Sequence, residues 1–256
     1  MNNDNSAKST IRGIFLKKLL VFVLYVIVVV YLLVVHTSLW TVLASLILYV
    51  FVAAIMYFIE TRTLLSILFK ELDAEKLKSV ISYKYNSAPF PFKINAAIFN
   101  GDYQTTTELL ETQLKKRLNV SNKSVYYAVL ARVYFEQENL NDLQRVCDEY
   151  SEFSKSCSKN TATKNTEAVW QYYEHFLAGD YDSCVSLCLV KFKDQRVDWR
   201  TPLTNIITDY RLAVAYYYNN DFENARKVFE SIVQRAPKLY FACLAKEYLA
   251  KMQEDK

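Results

Sequence analysis

The sequence predicts an all-α protein in which an N-terminal two-helix transmembrane hairpin is followed by an α-solenoid of about four helix hairpins and a C-terminal capping helix. Three observations favour this fold class. Residues 19–59 contain no charged residue, no glycine and no proline. The later part of the chain carries amphipathic helical patterns, has very little glycine and shows no strand-like alternation. A short polar turn also recurs four times along it.

Four segments follow from this pattern. Residues 1–13 are polar and rich in Asn and Ser, which predicts a cytoplasmic tail without stable structure. Residues 14–59 form the hairpin, and residues 60–86 have apolar side chains at helical spacing, which predicts an amphipathic connecting helix. Residues 87–256 form the helical-repeat domain, which begins where two prolines interrupt the helical pattern, because proline lacks a backbone amide donor.

The apolar stretch of the hairpin is too long for a single membrane span. As one helix it would extend roughly 60 Å, about twice the hydrocarbon thickness of a bilayer. Its only polar break is at residues 36–38, so the sequence predicts two spans, Leu19–Val35 and Leu39–Ile59, joined by a tight turn. Trp40 lies at the start of the second span, where tryptophan favours the membrane–water boundary.

Basic residues predict the orientation of the hairpin. Four cations on residues 8–18 precede the first span, Arg62 and Lys70 follow the second, and the connecting turn has none. The positive-inside rule therefore predicts that both termini are cytoplasmic. A secretory signal peptide is the alternative for the first span, although no small-residue cleavage site lies near its end and a second span follows at once.

The excess positive charge belongs to the membrane flank. Residues 1–59 contain four basic residues and one acidic residue, whereas the rest of the chain contains 27 and 26. We therefore expect no nucleic-acid partner, because neutralisation of phosphates drives that binding. The expected partners are the lipid bilayer and a protein or peptide. The hairpin predicts an integral membrane protein. Abundant Asn, Lys, Ile and Tyr are typical of AT-rich genomes, so we expect the membrane to be a bacterial plasma membrane.

The recurring polar turn predicts a series of helix hairpins. Its residue after the capping position is Tyr103, Leu140, Tyr181 and Phe222 in turn, at spacings of 37, 41 and 41 residues. An aromatic-rich apolar run precedes each turn and an amphipathic run follows it. Asp or Asn at the turn can cap the second helix of each pair. A single helix hairpin cannot bury its own apolar face, so the pairs are expected to stack.

The best copy resembles the tetratricopeptide repeat family. It covers Asp209–Pro237, and six of its residues match signature sites of that family: Leu212, Ala213, Tyr216, Ala225, Phe229 and Pro237. A second copy keeps Leu130, Ala131 and Tyr134, and the other two keep mainly the turn. Asp209 stands where the family has Trp, and the spacing exceeds the family's period of roughly 34 residues. The resemblance covers about residues 87–250.

In the resembled family, the first helices of successive hairpins line a concave groove that binds a partner. The resemblance therefore implies a partner-binding groove here, which we call the predicted groove. Arginine beside aromatic residues is also typical of interface hot spots. The alternative is that many of these side chains pack against neighbouring helices. The residues of the predicted groove are Arg132, Phe135, Trp170, Tyr173, Phe176, Tyr210, Arg211 and Tyr217. A last amphipathic helix, about Leu239–Met252, is expected to cap the final repeat.

No residue pattern indicates catalysis, a cofactor or a metal site. The chain has two histidines, His36 and His175, and His36 is expected across the membrane from the cysteines. Cys184 and Cys188 with His175 would supply three zinc ligands, but a structural zinc site needs four. A glycine-rich phosphate loop is missing. The five cysteines, an odd number, are expected to be free thiols in a reducing compartment.

These observations predict a non-enzymatic function. The expected function is that of a membrane-anchored cytoplasmic adaptor or scaffold that mediates protein–protein interaction through tetratricopeptide-like repeats. The alternative is an accessory transmembrane subunit of a transport, secretion or envelope complex, in which the hairpin makes the essential contacts. Neither span contains a Gly-x-x-x-Gly pattern or a charge, which are features that often stabilise contacts between spans.

Overall fold

A computed structural model describes residues 2–35, 39–84, 90–114, 120–156, 164–190 and 201–254. The described residues form helices and no strand, so the predicted all-α class with two N-terminal apolar helices is confirmed. The helices are α1 (Asn2–Val35), α2 (Leu39–Phe69), α3 (Ala74–Lys84), α4 (Phe90–Phe99), α5 (Tyr103–Leu109), α6 (Val120–Glu136), α7 (Leu140–Ser156), α8 (Lys164–Leu177), α9 (Tyr181–Leu189), α10 (Thr201–Tyr218), α11 (Phe222–Arg235) and α12 (Tyr240–Glu254). A π-helical turn at Leu110–Leu114 extends α5.

Helices α1 and α2 form an antiparallel pair. Tyr25 and Tyr49 face each other with ring centroids 6.1 Å apart, and Lys18 forms an ion pair with Glu60. Most apolar side chains between these contacts and the hairpin turn point outward. In the 18-residue apolar stretch of each helix, only 6% of the residues are buried. Each helix is long and apolar enough to cross a membrane. The predicted turn residues 36–38 lie outside the described residues.

Both helices continue beyond the apolar stretch at the same end of the hairpin. We call this extension, Asn2–Lys18 of α1 with Glu60–Phe69 of α2, the stem. Ala7 and Ile14 of α1 are buried in the same core as Leu64 of α2, and α1 and α2 both pack on α3. The predicted polar tail is thus helical from Asn2 onward, because its few apolar residues find partners that are distant in the sequence.

The predicted connecting helix over residues 60–86 is divided in two. Helix α2 ends at Phe69, and α3 begins at Ala74. Leu72 between them has a positive φ of 53°, and the Asp73 side chain caps α3 by accepting a hydrogen bond from Lys76 N–H at 2.8 Å. Asp73 also pairs with Lys238 at 2.5 Å, which ties this turn to the far end of the chain. Residues 85–86 lie outside the described residues.

Four equivalent turns join the helices of the four hairpins α4–α5, α6–α7, α8–α9 and α10–α11. In each turn one residue with a φ between 55° and 74° ends the first helix, and the next residue caps the second helix. The positive-φ residues are Gly101, Glu138, Gly179 and Asn220. Each cap accepts a hydrogen bond at 3.2 Å from the N–H three residues later; the caps are Asp102, Asn139, Asp180 and Asp221. The recurring turn predicted from the sequence is therefore present at all four positions.

The stem and the helical-repeat domain share one core. Consecutive hairpins pack on each other, α3 packs on α4, and α2 also contacts α10. The buried apolar side chains form a continuous cluster from Ala7 to Met252. Asn100 strengthens the junction, since its side chain donates a hydrogen bond to the Ala74 carbonyl at 2.9 Å. The apolar hairpin is thus a continuation of the domain and not a separate unit on a linker.

Candidate partner-binding site

The aromatic residues of the predicted groove meet in space. The Phe135 ring of α6 lies with its centroid 5.1 Å from Phe176 and 5.4 Å from Tyr173, both on α8. It also lies 6.3 Å from Tyr210 on α10. The first helices of three successive hairpins thus face a shared space. Edge-to-face contacts of this kind stabilise an aromatic cluster beyond the area that it buries.

This shared space is filled. The five buried members of the predicted groove have relative exposures of 5% or less: Phe135, Trp170, Tyr173, Phe176 and Tyr210. The remaining three are half-buried: Arg132, Arg211 and Tyr217. Within the described part of the chain the five buried side chains belong to the core and do not line an open surface. A partner could reach the buried five only after helices move apart.

Helix α12 occupies the space between the hairpins. Its Tyr248 stacks on Phe229 of α11 with ring centroids 5.0 Å apart and an interplanar angle of 8°. Its Phe241 lies 5.0 Å from Tyr210 and 6.2 Å from Phe99 of α4. The predicted cap therefore packs on the final hairpin, as expected, but it also reaches the first one.

Arg132 joins three helices around α12. Its guanidinium lies 4.2 Å from the Phe99 ring centroid and 5.0 Å from that of Phe241, within the range of cation–π attraction. Its Nε donates to Glu136 Oε1 at 2.5 Å, and Tyr103 OH donates to Glu136 Oε2 at 2.9 Å. Burial raises the pKa of Tyr103, and the Glu136 carboxylate raises it further. The polar groups of this network bind one another within the protein, which favours a structural role.

Arg211 and Trp170 are also held by neighbouring aromatic side chains. Arg211 Nη2 donates to Tyr173 OH at 3.2 Å, and its guanidinium lies 5.9 Å from the Tyr172 ring centroid. Trp170 stacks on Tyr150 of α7 at 3.9 Å, and its Nε1 has no hydrogen-bond partner among the described residues. Both side chains connect adjacent hairpins.

Sequence reasoning missed the residues that close this space. Glu136 follows Arg132 by four residues, a spacing that predicts a helical ion pair, so this partner was detectable. Phe241 and Tyr248 are both buried side chains of α12, the helix that was predicted to cap the final repeat. No local signal, however, showed that they would contact α4 and α10, because such contacts join distant parts of the chain.

Three of the described cysteines are buried, and His175 lies at the third turn. Burial raises the pKa of Cys147, Cys184 and Cys188 to about 12, so these thiols stay protonated and unreactive at neutral pH. His175 Nδ1 lies 3.0 Å from Asp180 Oδ2 at the third turn. Over the described ranges, no three His, Cys, Asp or Glu side chains come together as a metal site would require.

Comparisons with protein-family models, with curated proteins and with solved structures found no match. The tetratricopeptide resemblance therefore stays a prediction. What bears on function is the chain's own architecture: an outward-facing apolar hairpin, a stem, and four turn-linked helix hairpins closed by α12.

Proposed function

We propose that this chain is a membrane-anchored cytoplasmic scaffold whose helical domain binds a protein partner. The observation that supports the proposal is the pair of apolar helices whose membrane-length segments expose most of their large side chains and whose other ends enter the core of the domain. Soluble proteins rarely expose continuous apolar patches above a few hundred Å². Lipid is the solvent that suits such a surface, and a shared core fixes the domain beside the bilayer.

The partner surface that we propose is the edge formed by the turns, not the filled space around α12. We call this surface the turn edge; its residues are Leu140, Tyr181, Tyr217, Tyr218 and Phe222. Leu140 is 42% exposed and Phe222 38%, and the three tyrosines are half-buried. Tyr181 and Tyr218 stack at 5.6 Å, which makes the third and fourth turns one surface. Aromatic side chains that are partly exposed and held in place are typical of binding surfaces.

Site-specific photo-crosslinking in intact cells tests the turn edge. A photoreactive residue at position 140 or 222 should capture the same partner, because both positions lie on one surface. The matched control is position 190, where Val190 is 63% exposed at the opposite end of α9. Capture of identical proteins from all three positions, or of none from positions 140 and 222, would overturn the proposed surface.

An anchor exchange separates the scaffold from the accessory-subunit alternative. The structure shows that the exchange must be limited to residues 19–59, because residues 2–18 contribute Ala7 and Ile14 to the core. A scaffold keeps its partner when these spans are replaced by unrelated apolar helices. Loss of the partner from a variant that still reaches the membrane would support the accessory-subunit function instead.

Thiol labelling tests the proposed orientation. In a background where Cys157 is serine, a membrane-impermeant maleimide should label a Ser38→Cys variant from outside intact cells. Cys243, which is exposed on the domain, should react only after the cells are lysed. Labelling of Cys243 in intact cells would show that the domain lies on the outer side and would contradict a cytoplasmic scaffold.

A further inference from the structure

We propose that the stem binds the phosphates of anionic phospholipids through a basic collar formed by Arg12, Lys17 and Arg62. This proposal rests on the proposed membrane anchoring and adds a lipid class to it. All three side chains are exposed on the outer faces of α1 and α2. They lie near the ends of the two apolar segments: Arg12 and Lys17 precede the apolar segment of α1, and Arg62 follows that of α2.

The ion pair between Lys18 and Glu60 fixes the level at which these segments end on both helices. In an antiparallel pair with a rise of about 1.5 Å per residue, Lys17 and Arg62 lie within roughly 3 Å of the pair along the helix axis, and Arg12 lies roughly 9 Å from it. The headgroup layer on each side of a bilayer is about 5–8 Å thick. The long side chains of all three residues can therefore reach lipid phosphates.

The charge at this level is almost entirely positive. Between residues 5 and 20, and between residues 59 and 69, the only acidic residue is Glu60. Its carboxylate faces Lys18 between the helices, where the side chain of Lys18 is 27% exposed and that of Glu60 16%. One cation is thus neutralised inside the hairpin, while the collar faces outward.

Apolar neighbours indicate a lipid and not a soluble phosphate. Phe15 and Leu16 lie between Arg12 and Lys17 along α1 and are 55% and 56% exposed. A phospholipid offers a phosphate beside acyl chains, which matches cations beside exposed apolar side chains. Lys17 can lay its aliphatic part along the apolar surface and extend its ammonium to the headgroups. A free phosphate or a nucleic acid would leave Phe15 and Leu16 in water.

Lipid co-purification with the full chain tests the collar. The chain is reconstituted in discs of equal phosphatidylethanolamine and phosphatidylglycerol, extracted in mild detergent, and its retained lipids are counted by native mass spectrometry. We expect retained phosphatidylglycerol to exceed phosphatidylethanolamine at least about fivefold, the effect of a single juxtamembrane cation. The variant Arg12→Gln, Lys17→Gln, Arg62→Gln should lose this preference.

A second triple variant controls for the loss of charge. It carries Lys155→Gln, Lys227→Gln and Lys246→Gln, which remove three exposed cations from α7, α11 and α12. This variant should keep the wild-type preference for phosphatidylglycerol. If it loses the preference equally, or if the collar variant keeps it, the collar is not the site.

Two further outcomes separate this proposal from the anchoring on which it rests. A chain that enters the discs but retains both lipids equally would overturn the collar and leave the anchoring intact. A chain that never enters the discs would overturn both. Inorganic phosphate added during extraction should not displace the bound phosphatidylglycerol; displacement would show a general anion site and contradict the commitment to lipid.

Discussion

The hairpin and the helical-repeat domain are both built from apolar-rich helix pairs, yet they place their large side chains in opposite directions. Phe51 in α2 is 63% exposed, whereas Phe229 in α11 is fully buried. Over residues 19–59 the apolar residues surround each helix, and in α11 they follow one stripe with charged residues on the other side. The distribution of apolar residues around a helix, more than their number, therefore decides whether lipid or protein covers its apolar surface.

Truncation of one phenylalanine in each region should give the largest difference between the two regions in the free energy of unfolding. Phe229→Ala removes a ring that stacks on Tyr248 and should lower the free energy of unfolding of the domain by about 3–5 kcal/mol. Phe51→Ala should leave it within about 0.5 kcal/mol, because that ring makes few contacts in the protein. Chemical denaturation in detergent, followed by circular dichroism, measures both. Equal losses of stability in the two variants would contradict the assignment of Phe51 to lipid and of Phe229 to the protein core.

Introducing one lysine on an exposed apolar position should also have different consequences in the two regions. Ile27→Lys places an ammonium in the middle of the first span, at a side chain that is 58% exposed, and should cost about 3 kcal/mol of membrane insertion. Val125→Lys, at a side chain 44% exposed on α6, should change the stability of the domain by less than about 0.5 kcal/mol. The fraction of chain recovered in membranes reports the first effect, and thermal unfolding reports the second. A fully inserted Ile27→Lys variant would argue against lipid contact.

Two ion pairs, one within α6 and one between α1 and α2, differ in burial and give a finer contrast in stability. Arg132→Ala leaves Glu136 buried without its cation and should destabilise the domain by about 2–3 kcal/mol. Lys18→Ala breaks the more exposed pair with Glu60 and should cost about 1 kcal/mol or less. Arg132 is therefore a poor position at which to test partner binding, since a loss of binding would follow from the altered fold. Comparable thermal shifts for the two variants would contradict this assignment.

Two glycines with the same backbone conformation separate backbone strain from packing. Gly101 and Gly179 have φ values of 72° and 74°, so an alanine at either position should cost about 1 kcal/mol. At Gly101 the added Cβ would also lie 2.4 Å from the Tyr240 ring, whereas nothing lies within 4 Å at Gly179. We expect Gly101→Ala to lose about 1 kcal/mol more than Gly179→Ala in denaturation experiments. Equal losses would show that α12 does not pack on the first turn.

The smallest expected effect concerns acid stability. Hydrogen bonds from Ser183 and the neighbouring His175 hold the pKa of Asp180 below its ordinary value of 3.8. The folded state thus favours the carboxylate, and this stabilisation is present above that value and lost as the pH falls through the lower folded-state pKa. Asp180→Asn keeps a capping oxygen and should show a shallower fall of melting temperature with acid than the wild type. An unchanged slope would exclude this cap as a contributor. The spans, which contain no acidic or basic residue, should keep their helicity throughout.

Features that depend on local sequence were predictable. The two apolar helices follow from the uncharged apolar stretches on either side of residues 36–38. Three of the four turns follow from Gly or Asn before an Asp cap, since a positive φ and a side-chain acceptor are local requirements. Glu138 fills the same role without any such signal, and only the repeat spacing identified that turn.

Features that depend on distant contacts were not predictable. Ala7 and Ile14 form too sparse a pattern to indicate a helix until α3 is seen to pack against them. In the same way, the aromatic residues on the first helices of the hairpins indicated a shared space but not its occupant. The rings of Phe241 and Tyr248 fill that space, so the buried residues of the predicted groove are part of the hydrophobic core.

Photolabelling with a phospholipid that carries a reactive group at the end of its acyl chain tests whether the outward-facing side chains of α1 and α2 contact lipid. The full-length chain is placed in bilayers of this lipid, illuminated and digested, and the adducts are located by mass spectrometry. We predict adducts within residues 19–35 and 39–59 and none on α6 to α12. Adducts on the helical-repeat domain, or a chain recovered unlabelled from the aqueous phase, would contradict it.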